Sequence, residues 1–183
     1  MKSIAIILLS LSLTLEASAQ AESGPYVGVG LGYFDLDMNS RFDDTALSYR
    51  IYGGYRFGRR WSLEGSYLET QDLTSSETAT IPTYGTVTST TEVNYDVLEV
   101  RGLAHFGAFF VGAGYWDADL DGQLTSNLFS GFPIKHSDAG ASVLLGGQWN
   151  LGRRKIRVEF EHFDTTDDEI RANTIGVSAH FGF

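Results

Sequence analysis

At 183 residues, with 43% hydrophobic, 13% aromatic and 20% charged positions, the chain is long enough for one domain and has the bulk composition of an ordinary folded protein. It carries 13 Lys and Arg against 23 Asp and Glu, and the net charge of −10 excludes nucleic acid as a natural partner. The absence of cysteine excludes a disulfide framework, which a chain of this length does not need.

In chain order, Met1-Lys2 leads into the apolar run Ile4 to Leu15 and then into Ala17-Ser18-Ala19. That basic, apolar, small-residue order reads as a secretory signal over 1–19, with a second cleavage box that would extend it to 21. Cleavage would leave residues 20–183 as one domain. Beyond the signal, no apolar stretch approaches the roughly 20 residues of a membrane helix. An exported chain of this kind is therefore either soluble or a strand barrel.

Period-two alternation dominates the rest and predicts eight strands: 25–36, 47–57, 61–70, 92–104, 108–118, 138–151, 155–164 and 172–183. Tight turns are expected at Gly58-Arg59-Arg60, His105-Phe106-Gly107 and Gly152-Arg153-Arg154, evenly spaced along the chain. They alternate with longer polar loops at 37–46, 71–91, 119–137 and 165–171. The pattern is an up-and-down hairpin repeat with both chain ends on the short-turn side.

Sorting each strand by parity separates an apolar face from a glycine-rich or charged one. The first strand sets Val27, Val29, Leu31 and Tyr33 against Gly28, Gly30, Gly32 and Phe34. The seventh sets Ile156, Val158 and Phe160 against Lys155, Arg157, Glu159 and Glu161. Such alternation suits a water-soluble sandwich or lipocalin-like barrel with the apolar face inside, and equally a membrane barrel with that face outside. Aromatics at strand ends (Tyr33, Phe57, Trp61, Tyr67, Phe106, Trp149 and Phe183) favour the membrane barrel, because interfacial girdles sit at those heights.

The expected fold class is thus all-β, an eight-stranded antiparallel up-and-down transmembrane β-barrel. Its lumen would hold Arg50, Arg56, Arg101 and Arg157 with Glu64, Glu99, Glu159 and Glu161. An eight-stranded interior has room for little beyond its own side chains, and an unpaired charge there is costly. A mutually paired network that plugs the barrel is expected, with a gated narrow pathway as the alternative.

Each long loop, counted with its flanking strand ends, carries a net charge of −3, whereas Arg59, Arg60, Arg153, Arg154 and Lys155 gather at the short turns. The acidic rim would suit a basic partner or simply keep the loops solvated and apart. Asp117, Asp119, Asp121 and Gly122 imitate the first half of a calcium loop, but its twelfth position would be Leu128 in place of the bidentate Glu. A continued strand face explains these aspartates better, and no metal is assigned. Gly28, Gly30 and Gly32 lack the spacing and following helix of a phosphate loop, so no cofactor is expected.

The segments YGGYRFGRRWSLEGSYLET (52–70) and LGGQWNLGRRKIRVEFEHFDTT (145–166), with the closing IGVSAHFGF, resemble the eight-stranded outer-membrane protein β-barrel family. Within it the likeness is to the outer-membrane protein A transmembrane domain and opacity-type surface proteins. The resemblance spans the mature chain, and its motifs encode barrel hairpins without a chemistry. It implies residence in the cell outer membrane, contact with outer-membrane lipids and lipopolysaccharide, loops outside the cell and termini in the periplasm. It also implies that Ile175, Phe181 and Phe183 form the signal read by the barrel-insertion machinery, which accounts for an ending on an aromatic residue. An unknown extracellular partner would meet the long loops, chiefly the Thr- and Ser-rich 71–91.

Family members that deacylate lipid A carry a His-x-Ser pair on a late strand and a Glu. Here His162-Phe163-Asp164 puts Asp where the hydroxyl should be, with Thr165 and Glu169 beyond. A carboxylate cannot replace that nucleophile, so no catalytic residue is assigned. His180 beside Ser178 is read as a hydrogen-bonded interior residue. The expected role is structural or surface-interacting, the alternatives being a narrow pore, a lipid hydrolase and a soluble carrier.

Overall fold

The computed structural model describes residues 23–38, 42–83, 85–151, 154–165 and 171–182. Among the described residues there are nine antiparallel strands: β1 (Gly24–Met38), β2 (Phe42–Phe57), β3 (Trp61–Thr70), β4 (Leu73–Ile81), β5 (Gly85–Phe106), β6 (Phe109–Ser126), β7 (Phe129–Leu151), β8 (Arg154–Thr165) and β9 (Arg171–Gly182). Eight of them close a barrel. Neighbours in the chain pair as hairpins, β1 closes onto β9, and β3 skips β4 to pair with β5 from Trp61↔Ala104 to Glu69↔Asp96. Gly58 and Gly107 sit in the short turns at φ of 69° and 67°, a region that side chains with a Cβ avoid.

Parity sets the environment as the alternation predicts. Val29, Leu31, Tyr33, Leu63, Leu98, Val100, Tyr115, Leu145 and Val177 all point outward and are exposed, Leu98 at 63%. At the short-turn end Phe57, Trp61, Phe106, Phe109 and Trp149 complete an exposed aromatic rim. At the other end the outward rows turn acidic within one step: Tyr33 is followed by Asp35, Tyr67 by Glu69, Leu98 by Asp96, and Tyr115 by Asp117. An uncharged outward band with charge beyond it is the signature of a lipid-contacting belt.

Three strands run far past that belt. β5 has 22 residues and β7 has 23, about twice the 9–11 that a tilted crossing needs. The expected loop 71–91 is therefore largely not a loop: β4 pairs with β5 from Leu73↔Val93 to Ile81↔Gly85 as a ninth strand outside the barrel wall. The expected loop 119–137 is likewise a hairpin, β6 to β7, with one register shift between Leu124 and Ser126. In 37–46, β1 runs to Met38 and β2 starts at Phe42. The missed strand β4 is hydroxyl-rich on one face and almost wholly exposed, so it lacks the apolar alternation that marks a wall strand. Most of 165–171, the turn at 152–153, the signal 1–19 and Phe183 lie outside the described residues.

Candidate functional site

The interior is layered along the axis. The middle layer is ionic. β5 carries Glu99 and Arg101, β3 Glu64, β2 Arg50, and β8 Arg157, Glu159 and Glu161, all on the inward parity and all buried. Arg101 Nε lies 2.9 Å from Glu64 Oε2, and its two Nη atoms lie 3.3 Å from Glu161 and 3.4 Å from Glu159. Arg50 reaches Glu159 and Glu161 at 2.5 Å each. Arg157 reaches Glu64 and Glu159 at 2.6 Å each.

Neutral donors complete the layer. Tyr26 Oη donates to Glu64 at 2.6 Å, while Ser66 and Ser142 donate to Glu99 at 3.0 and 2.5 Å. The Tyr52 ring lies under the guanidiniums of Arg157 and Arg101, 5.1 and 5.9 Å from its centroid. Gly28 makes room for that ring, because a Cβ there would overlap the Tyr52 phenol. Each guanidinium thus faces at least two carboxylates, the arrangement that lets buried charges offset their loss of water.

Seven of the eight predicted lumen residues meet in this layer. Arg56 does not. It lies one strand position from the short turn, below the carboxylates, and donates to the Arg59 carbonyl at 3.2 Å. Parity assigns a side chain to a face but says nothing of its height along the axis, and Arg56 faces the mouth. A cavity of about 20 Å³ beside Arg50 and Glu159, lined by Gly30, Ser48, Thr174 and Ser178, has room for about one water.

Above the ionic layer, on the side of the long hairpins, the lumen is apolar. Phe34, Leu36, Leu68, Val93, Tyr95, Val97, Trp116, Leu120 and Phe163 form one buried cluster. The Trp116 and Phe163 rings meet edge to face at 5.8 Å, and Phe34 lies 6.2 Å from Phe163. The alternation reading took the inward face as polar throughout and missed this cap. The available signal was Phe34 and Leu36, which share the parity of Gly28, Gly30 and Gly32, and Val93, Tyr95 and Val97, which share the parity of Glu99 and Arg101.

Beyond the cap stands an arm built of β4 and the far ends of β5, β6 and β7. Its outward face is a hydroxyl ladder: Thr74, Ser76, Thr78 and Thr80 oppose Glu92, Thr90, Thr88 and Thr86. Cross-strand hydroxyls bond at 3.1 Å (Ser76 with Thr90) and 3.3 Å (Thr78 with Thr88). On β6, Asp117, Asp119 and Asp121 alternate along a paired strand and do not wrap into a loop. Asp119 accepts from Ser137 at 2.7 Å, and Asp121 pairs with Lys135 at 2.7 Å. The hydrogen bond from Lys135 to Asp121 holds the ammonium pKa above its ordinary value.

The remaining singled-out residues fall elsewhere. His162 is on the outward parity of β8 and shares a hydrogen bond with Asn173 at 2.8 Å, while its neighbour Phe163 is in the cap. His180 stacks on Tyr26 at 4.4 Å inside the short-turn mouth. Ile175 lies on the lipid-facing row of β9, and Phe181 takes Arg154 over its ring at 5.3 Å.

The family model for the outer membrane protein β-barrel domain matches residues 5–183. No curated protein matches the sequence. Among solved structures, Ail, the attachment invasion locus protein of Yersinia pestis, superposes with a TM-score of 0.62 at 13% identity, over 87% of this chain and 99% of Ail. Neisserial surface protein A does so with 0.56 at 12% identity, over 88% and 99%. OprG from Pseudomonas aeruginosa does so with 0.54 at 13% identity, over 87% and 97%. Ail has also been crystallised with the heparin analogue sucrose octasulfate.

Proposed function

Since the chain belongs to the outer membrane protein β-barrel family, we propose that it is a closed barrel whose work is done by the arm above the membrane, as a structural and surface-interaction protein of the cell outer membrane. One observation carries this reading. The lumen is filled twice over, by an ionic layer and by an apolar cap, while three barrel strands continue into a sheet with nothing to enclose. Substance invested in an extramembrane sheet suits recognition; a filled lumen does not suit transport.

The reading places the long hairpins outside the cell and the short turns and both termini in the periplasm, after removal of the signal 1–19. The lipid-facing rows would contact outer-membrane lipids and lipopolysaccharide. Ile175, Phe181 and Phe183 would be read by the insertion machinery. The hydroxyl ladder of β4 and β5, with acidic residues around it, would meet an uncharged or basic partner. A heparin-like polyanion, as crystallised with Ail, does not fit: the arm's described cation, Lys135, is already paired with Asp121.

Planar-bilayer recording of the purified barrel tests the proposal against a narrow pore. The expected trace shows no large stable open state, and such a state would overturn it. Lipid A acyl number, measured by mass spectrometry in cells with and without the protein, is expected to be unchanged, and a change would replace this reading with a hydrolase.

A further inference from the structure

The mouth between the short turns holds inward-facing cations that the ionic layer does not use. Arg56 on β2 and Lys155 on β8 are each half-buried there. Neither has a carboxylate within ion-pair distance among the described residues. Glu64, on the inward row of β3 above them, is already taken by Tyr26, Arg101 and Arg157.

Register ties the two cations to two histidines. Lys155 sits directly opposite His180 across β8 and β9, and Arg56 sits opposite Ser62, whose hydroxyl bonds His105 Nε2 at 2.8 Å. Both imidazoles are 7% exposed, and both have Arg56, Lys155 and Arg157 within electrostatic range. The Nδ1 atom of each is buried with no hydrogen-bond partner among the described residues. Arg56 and Lys155 are also close enough to repel one another. Among the described residues, this half-buried pocket with two cations, two unsatisfied imidazole nitrogens and one end open to solvent lacks a counter-charge.

We infer that this mouth is a binding site for a phosphate-class oxyanion, held between the Arg56 guanidinium and the Lys155 ammonium and walled by His105 and His180. The planar guanidinium fork matches two oxygens of a phosphate, and the ammonium supplies a point charge to a third. Tyr26, stacked on His180 and bonded to Glu64, closes the floor and keeps the anion from the carboxylates above. In the proposed orientation the site opens to the periplasm, where the oxyanion comes from a soluble phosphate compound or from an anionic lipid headgroup of that leaflet.

The test is nitrogen NMR of histidine-labelled protein folded in maltoside micelles, titrated with inorganic phosphate at fixed ionic strength against chloride. His105 and His180 are expected to shift saturably, while His136 and His162, at the other end, stay still. Arg56→Gln and Lys155→Gln should each raise the half-saturating phosphate concentration by about tenfold, the loss of one strong charged contact, whereas Arg171→Gln should not. A second arm uses nanodiscs in phosphate-free buffer. Shifts in phosphatidylglycerol discs but not in phosphatidylcholine discs identify a lipid headgroup, and shifts only with soluble phosphate identify a free ligand. Non-saturating shifts, equal shifts at all four histidines, or no shift in either arm would overturn the site. The comparison of phosphate with chloride needs no variant and stands even if a substitution prevents folding.

Discussion

Arg101 and Glu161 meet across the barrel axis, with Arg101 Nη1 3.3 Å from both carboxylate oxygens, although they are 60 residues apart and sit on β5 and β8, which are not neighbours in the sheet. The side chains of Arg101 and Glu161 are wholly buried. Such a contact ties opposite walls together, which no backbone ladder does.

Replacing Arg101 with Met should therefore cost about 3–5 kcal/mol, since Glu64, Glu99, Glu159 and Glu161 would lose a shared cation. Urea unfolding in lipid vesicles measures it. Adding Glu161→Gln is expected to restore part of the loss, because one of the stranded charges goes with it. Full additivity of the two substitutions would contradict direct coupling.

The apolar cap makes a separable contribution. Phe163→Ala should destabilise by about 3–5 kcal/mol, the cost of a large cavity beside Trp116 and Phe34. Planar-bilayer conductance should nonetheless stay at baseline, because the ionic layer beneath still fills the lumen.

Gly28→Ala would drive a methyl into the Tyr52 phenol, which is held by Ser178 at 3.0 Å. A loss of about 1–3 kcal/mol is expected from overpacking. Truncating Tyr52 to Ala in the same chain should make the added methyl nearly neutral, and a double-mutant cycle reads that coupling.

The outward rows respond to depth. Leu31→Arg, in the middle of the exposed apolar band, should cost about 2–4 kcal/mol in vesicles, whereas Thr88→Arg on the arm should leave barrel stability unchanged. Equal effects at the two positions would mean that the band does not touch lipid.

Excising residues 75–91 and joining the ends with a short turn should leave a barrel that still migrates anomalously before boiling. The closing contact of β3 with β5 begins below the excision, at Glu69↔Asp96, and needs no arm residue. Under the proposed role of the arm, the shortened barrel is expected to lose surface binding shown by the intact chain, and unchanged binding would contradict that role.

Much of this protein is settled by local pattern. Period two in Val27 to Tyr33, Ile156 to Phe160 and Ile175 to Phe181 follows from the pleat of a single strand, so the lipid-facing rows, the eight wall strands and most of the lumen charges are legible without any tertiary knowledge. Height along the axis is different. It is set by strand tilt and by the stagger accumulated over eight pairings at once, and no single strand encodes it. Only the closed barrel brings Arg101 to Glu161, drops Arg56 out of the network to the mouth beside His105 and His180, and gathers Phe34, Trp116 and Phe163 from three strands into one cap.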